Sequence, residues 1–200
     1  MSIVSSDVAS HLTCFTPGAM VQTDKGPVPS ERLRPGDRIL TRDDGFQTLK
    51  WIGARQLSNP VLRANPDLHP ILIRQDALGQ GLPLTDMKVS PAQIFLLPGE
   101  AGEGAGDPLV ALPARDLVGR EGVQALCTLT VIYIHLMFET DATILVNGIW
   151  TDCHQPARVT RRERGDDQHR ELLRIFPNLH RRAGRAGFVA LRAESKANGA

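Results

Sequence analysis

From Ala19 onward the chain runs in apolar stretches of a few residues cut by turn signals, a pattern that predicts short strands. AMVQT is followed by Asp24-Lys25-Gly26, then by PVPSERL and the tetrad Arg34-Pro35-Gly36-Asp37. Pro at the second and Gly at the third place of that tetrad suit a type II turn, whose third residue needs positive φ. RILTR and FQTLKWI flank Asp43-Asp44-Gly45, and an Asp-Gly pair between apolar runs is a strong hairpin signal. Two linked hairpins are expected before residue 50.

Further on, ILIRQDAL fits either a strand or a short helix, and MKVSPAQIFLLPG fits a strand that enters and leaves a kink at Ser90-Pro91, because proline cannot donate to a ladder. The glycines of AGEGAGDP, residues 101 to 108, mark an exposed loop; LVALPARDLVG after it reads as a buried stretch with a turn or short helix. The clearest strand is TVIYIHLMFE, residues 130 to 139, with Ile132, Ile134, Leu136 and Phe138 on one face and Val131, Tyr133, His135 and Met137 on the other. TILVNGIW adds a hairpin with a type I′ turn at Asn147-Gly148. Beyond Pro156, Asp166-Asp167 can cap a helix over HRELLRIF that Pro177 ends, and residues 181–196 suit a second helix or remain mobile. There is no internal repeat long enough to alter the fold class.

Composition adds to this picture without redirecting it. Two hundred residues, 42% hydrophobic with 18 Gly and 14 Pro spread throughout, suit one all-β domain with surplus chain at the C-terminus. The net charge of +1 conceals a split: residues 1–156 carry 12 Lys/Arg against 17 Asp/Glu, and residues 157–200 carry 11 against 5. Such a tail is read first as a basic solvated segment; its charge does not by itself name a nucleic acid or other partner. No run approaches a membrane span, and MSIVSSDVASHLT has neither the basic start nor the apolar middle of a secretory signal, so the default is a soluble cytoplasmic protein.

Cys14, Cys127 and Cys153 cannot all pair, so at least one thiol is free. Cys127, in GVQALCTLTV, reads as core packing. Walker-type, dinucleotide-binding and His-Glu-x-x-His motifs are missing, and Asp43-Asp44 and Asp166-Asp167 read as turn and cap residues. A papain-like protease needs a helix after its cysteine, whereas Cys14 precedes a Pro-Gly turn and a strand.

The stretch CFTPGAMVQTDKGPVPSERLRPGDRILTRDDGFQTLKWIG resembles the opening of a Hint domain, the Hedgehog/intein module, and in particular the bacterial Hint-domain proteins. The resemblance rests on the set: a leading Cys, a first strand, Val28-Pro29-x-Glu31-x-Leu33-x-Pro35-Gly36-Asp37, and an Asp-Gly hairpin. VSPAQIFLL and YIHLMFETDATILVNGIWTDC fall where the family has its later blocks. The resemblance implies an all-β, pseudo-twofold, horseshoe-like module over residues 14–155, with an arm at 1–13 and a basic tail at 156–200.

It also implies self-processing. The leading Cys14 would attack the carbonyl of Thr13 through a five-membered ring and turn the amide into a thioester, with the chain's own N-terminal segment as substrate and no cofactor or metal. That shift runs uphill unless the thiol loses its proton, the carbonyl oxygen is held by donors and the leaving amine gains a proton. A free thiol has a pKa of about 8.5, so the site needs a proton carrier.

At two positions the chain departs from the family. The Ser/Thr-x-x-His block reads Ser90-Pro91-Ala92-Gln93, and the histidine expected before the Asn-Gly hairpin falls on Asp141. By resemblance Ser90 and Gln93 would polarise the Thr13 carbonyl. His135, where inteins commonly carry a catalytic Asp, would be the proton carrier, oriented by Asp141; the alternative for His135 is a place on the solvent side of its strand. Splicing is not expected, because His154-Gln155 is followed by Pro156 and not by a nucleophile. The alternative function is an inactive Hint domain serving as a binding or structural module. A zinc site formed by His11, Cys14, Cys153 and His154 is a further hypothesis from ligand types alone.

Overall fold

The computed structural model describes residues 13–99 and 109–153. Among them the chain forms strands β1 (Met20–Thr23), β2 (Gly26–Pro29), β3 (Arg38–Thr41), β4 (Gly45–Thr48) and β5 (Trp51–Leu57), then helix α1 (Asn59–Ala64) and a 3-10 turn, Pro66–Leu68. There follow β6 (Ile71–Ile73), β7 (Met87–Val89), β8 (Ile94–Pro98), β9 (Leu109–Pro113), β10 (Val123–Ala125), β11 (Val131–Met137), β12 (Ala142–Val146) and β13 (Ile149–Cys153).

The hairpin signals are realised. β1 and β2 pair from Met20↔Pro29 to Thr23↔Gly26, and β3 and β4 pair across Asp43-Asp44 from Thr41↔Gly45. Asn147 and Gly148 have φ of 49° and 84°, both positive as a type I′ turn needs, and they close β12 onto β13 at Val146↔Ile149. The Asn147 side chain also accepts from the Met20 N–H at 2.8 Å and donates to Thr85 Oγ1 at 2.7 Å, so this turn is bonded to both β1 and the approach to β7.

Eight strands form the large sheet, in the order β2-β1-β3-β12-β13-β8-β9 with β4 beside β3. A three-stranded sheet, β10-β6-β7, and the pair β11-β5 complete the set. Phe15 bridges Val89 at the end of β7 to Ile134 in β11, so one residue joins the last two groups. Interdigitated between the sheets lies the main core, with Phe15, Leu33, Ile39, Phe95, Ile134 and Ile144 at its centre. Full burial of such side chains contributes about 1.5–3 kcal/mol each.

Several expectations are corrected. FQTLKWI is not one strand: the chain crosses at Leu49-Lys50 from the large sheet to β5, whose partner is β11. ILIRQDAL resolves to the strand β6 followed by a turn. The start of LVALPARDLVG is exposed at Leu109 and Val110, because among the described residues β9 is the last strand of its sheet. Cys127 is exposed and not core, since β10 ends at Ala125 and the chain bends outward before β11. His135 does not face solvent: the middle of β11, from Tyr133 to Leu136, is buried on both faces, and His135 is 1% exposed. The loop expected at 101–108, both helices expected in the tail, His11 and His154 lie outside the described residues. Among the described residues no helix is long and apolar enough to cross a membrane.

Candidate active site

The site is built around the peptide link between Thr13 and Cys14. Phe15 N–H donates to the Ile134 carbonyl at 2.9 Å, and Ile134 N–H donates back to the Phe15 carbonyl at 2.8 Å. This closed pair sets the register, bringing His135 alongside Cys14. Its Nδ1 reaches the Thr13 carbonyl oxygen at 2.7 Å. A carbonyl can only accept, so Nδ1 carries the proton and Nε2 the lone pair.

On the other side, Pro91 ends β7 and Ser90 turns inward. Its N–H donates to the Cys14 carbonyl at 2.9 Å, and its Oγ accepts from the Cys14 N–H at 2.9 Å. The two ends of one amide are therefore held by two side chains, the oxygen by His135 and the nitrogen by Ser90. Thr13, Cys14, Ser90 and His135 are all buried.

His135 is held neutral. Burial pulls its pKa from the ordinary 6.5 down to about 4, against the opposing effect of the Thr13 carbonyl. Cover comes from Trp51, whose indole lies 6.4 Å from the imidazole, centroid to centroid, at 59°. Gly53 is the ladder partner of His135, and a Cβ there would run into the Trp51 ring. Residues 51 and 53 share a face of β5 by strand alternation.

Cys14 is fully buried in a second, smaller apolar cluster with Leu57, Leu62, Leu68, Val131 and Tyr133. The helix α1 and the turn after it form the roof. Tyr133 OH donates to the Leu68 carbonyl at 2.8 Å, tying that roof to β11. The Tyr133 pKa is raised, first by burial and then by the nearby Cys14, so the phenol stays protonated. Outside the roof, a cleft of about 330 Å³ runs between α1 and β5.

The other expected residues are placed differently. Ser90 holds the nitrogen and not the carbonyl oxygen. Gln93 faces β13: its Nε2 donates to Thr151 Oγ1 at 2.7 Å and to the Asp152 carbonyl at 2.9 Å. Its buried Oε1 has no hydrogen-bond partner among the described residues. Asp141 is exposed and lines a cleft with Asp43, Asp44 and Asp152, remote in character from the buried His135. Cys153 belongs to the main core and Cys14 to the smaller cluster, and burial raises the Cys153 pKa. Among the described residues no three His, Cys, Asp or Glu side chains gather as a metal site.

Trp51, Gly53 and Tyr133 escaped the sequence reading, as did α1. For α1 a signal existed: Ser58 before Asn59-Pro60 is a cap residue with proline in the first turn.

The Hint-domain family model matches residues 13–158. The chain belongs to the Hint-domain family. The match begins at Thr13, the residue whose carbonyl His135 holds. Among solved structures this Hint domain is similar to a bacterial intein-like domain from Clostridium thermocellum, at 13% identity and a TM-score of 0.45, covering 72% of this chain and 99% of that one. It is similar as well to the gp41-1 intein, at 14% identity and a TM-score of 0.41, covering 72% of this chain and 99% of that one. A search of curated proteins gave no match.

Proposed function

We propose that this Hint domain cleaves its own Thr13–Cys14 bond by an N-to-S acyl shift. The observation that supports the reading is the bracketing of that amide, with His135 Nδ1 on its oxygen and Ser90 Oγ on its nitrogen. In the proposed step the Cys14 sulfur adds to the Thr13 carbonyl carbon, the C–N bond breaks, and the thiol proton ends on the Cys14 nitrogen. The product is a thioester and a free Cys14 amine.

His135 Nδ1–H stabilises the oxyanion as it forms, and being neutral beforehand it gains most where the charge is new. Ser90 Oγ accepts from the amide N–H in the ground state; once the nitrogen becomes pyramidal, rotation of the hydroxyl lets it donate to the new lone pair. Gln93 cannot transfer a proton and is bonded to β13, so the reaction runs without the block histidine. The lost general acid-base contribution is about 10²- to 10⁴-fold. The acyl group then passes to a nucleophile from outside, and Cys14 regains its proton.

Intact-mass measurement with and without hydroxylamine tests this. Release of residues 1–13 from the wild type but not from Cys14→Ala is the expected result. A single uncut mass in every condition would leave the second reading, an inactive module that binds or braces. Complete burial of Cys14 beneath Leu57, Leu62 and Leu68 is the observation in favour of that alternative.

A further inference from the structure

The cover over Cys14 is of two kinds. Leu57, Val131 and Tyr133 belong to β5 and β11 and are fixed by the ladder between those strands. Leu62 and Leu68 come instead from α1 and the 3-10 turn, in the stretch between β5 and β6 that belongs to no sheet.

That stretch is anchored at its ends. Leu57 pairs with Val131, and the Pro70 carbonyl accepts from the Leu126 N–H at 2.8 Å just before β6. In between, the backbone bonds close on the segment itself: Leu62 N–H to the Ser58 carbonyl, Asn65 to Leu62, Leu68 to Asn65 and His69 to Pro66. Side chains make the crossings to the body, Tyr133 OH to the Leu68 carbonyl at 2.8 Å and the Thr128 N–H to His69 Nδ1 at 3.3 Å. Alongside, the cleft of about 330 Å³ lies between α1 and β5 and has Leu57, Val61 and Leu68 in its lining, so the helix is not packed down along the strand. A helix of six residues is too short to hold by its own hydrogen bonds. Such a unit opens locally well before the whole domain unfolds.

We propose that residues 58–69 form a lid over Cys14 that opens by local melting of α1, and that the acyl group moves to Cys14 beneath the closed lid and leaves only when the lid is open. The second half of this inference rests on the proposed self-processing. The shift needs no visitor, because Thr13, Cys14, Ser90 and His135 are buried together. Release does need one. With hydroxylamine, the nitrogen adds to the Thr13 carbonyl carbon, the bond to Cys14 Sγ breaks, and the proton lost by that nitrogen ends on Sγ. At this stage the carbon is bonded to Sγ, inside the cluster that Leu62 and Leu68 close. The closed lid therefore keeps water from the thioester, and the open lid admits the nucleophile.

The test uses the full chain with Cys127→Ser, which leaves two buried thiols, Cys14 under the lid and Cys153 in the main core. Iodoacetamide labelling is read at each by peptide mass and divided by the rate of the same cysteine in the unfolded chain. Slow alkylation follows the population of the open form. Cys14 should react about tenfold or more faster than Cys153, and with a weaker dependence on urea, since opening a lid exposes less surface than unfolding. Equal rates with equal urea dependence, or a slower Cys14, would overturn the lid.

Arg63, exposed on α1, tunes the lid without touching the cluster. Arg63→Gly should raise Cys14 labelling about fivefold over Arg63→Ala, because glycine weakens a helix where alanine does not, and Cys153 labelling should follow neither. Identical labelling in the two variants would overturn opening by melting. Release of residues 1–13 by hydroxylamine should rise in Arg63→Gly by the same factor as the labelling. Faster labelling with unchanged release would overturn the gating. The expected labelling with no release from any of these proteins supports the lid and removes the self-processing reading instead.

Discussion

The Trp51 indole occupies the space that any side chain on Gly53 would need. Because Gly53 faces His135 across the ladder, this empty position lets an aromatic ring roof the imidazole that touches the Thr13 carbonyl. Gly53→Ala should push the indole aside, cost about 1–3 kcal/mol as an overpacked site, and admit water to His135. An NMR titration of His135 should then show its pKa rising from near 4 toward 6.5. An unmoved titration would mean that the indole does not control the ring's solvation.

His135 should also govern acid stability. Its folded pKa, about 4, lies below the 6.5 of the unfolded chain. Between those values the unfolded state binds a proton that the folded state refuses, so stability is full above 6.5 and falls as pH drops toward 4. The loss is up to roughly 3 kcal/mol. Urea unfolding at pH 7 and pH 4.5 should show this fall in wild type and a flatter profile in His135→Asn, whose amide can still donate to the Thr13 carbonyl. Equal slopes in the two proteins would assign acid sensitivity to other groups.

Ser90→Ala removes the acceptor for a fully buried amide N–H. An orphaned buried donor costs about 1–3 kcal/mol, so the urea midpoint should drop. Under self-processing, hydroxylamine-induced release should slow as well, by a factor larger than in a variant equally destabilised elsewhere in the core. A rate that simply follows stability would make Ser90 a structural residue.

Tyr133→Phe deletes the hydroxyl that holds Leu68 and nothing else. The expected cost is about 0.5–1.5 kcal/mol, enough to loosen α1 and its following turn locally. Labelling of Cys14 by a disulfide reagent should accelerate by up to about tenfold. The experiment needs a Cys127→Ser background, because Cys127 is exposed and would react first. Unchanged labelling would show that access to Cys14 does not depend on this contact.

Much of the fold was readable because it is written in local chemistry. Asp44-Gly45, Asn147-Gly148 and Ser90-Pro91 each dictate a turn through their own backbone preferences, and each turn is where those preferences put it. Cys127 was misread because an apolar run names a strand without saying where it stops. The site was legible only in part. Cys14, Thr13, Ser90 and His135 could be named, but which atom of the amide each one holds depends on the Phe15–Ile134 pairing, a contact between residues 119 positions apart. Gln93 shows the same limit: its spacing from Ser90 placed it in the site, while β13 supplies acceptors that draw its amide away. Trp51 and Gly53 have no meaning until β5 lies against β11.

The two hydrogen bonds between Phe15 and Ile134 also have a mechanical side. They grip the chain one residue past Cys14, and Ser90 grips Cys14 itself at both N–H and C=O. Tension applied at Thr13 is thus delivered to the Thr13–Cys14 link before it reaches any strand of the sheets. A tug there loads a bond that the surrounding side chains hold by both its oxygen and its nitrogen, while the body behind it stays clamped.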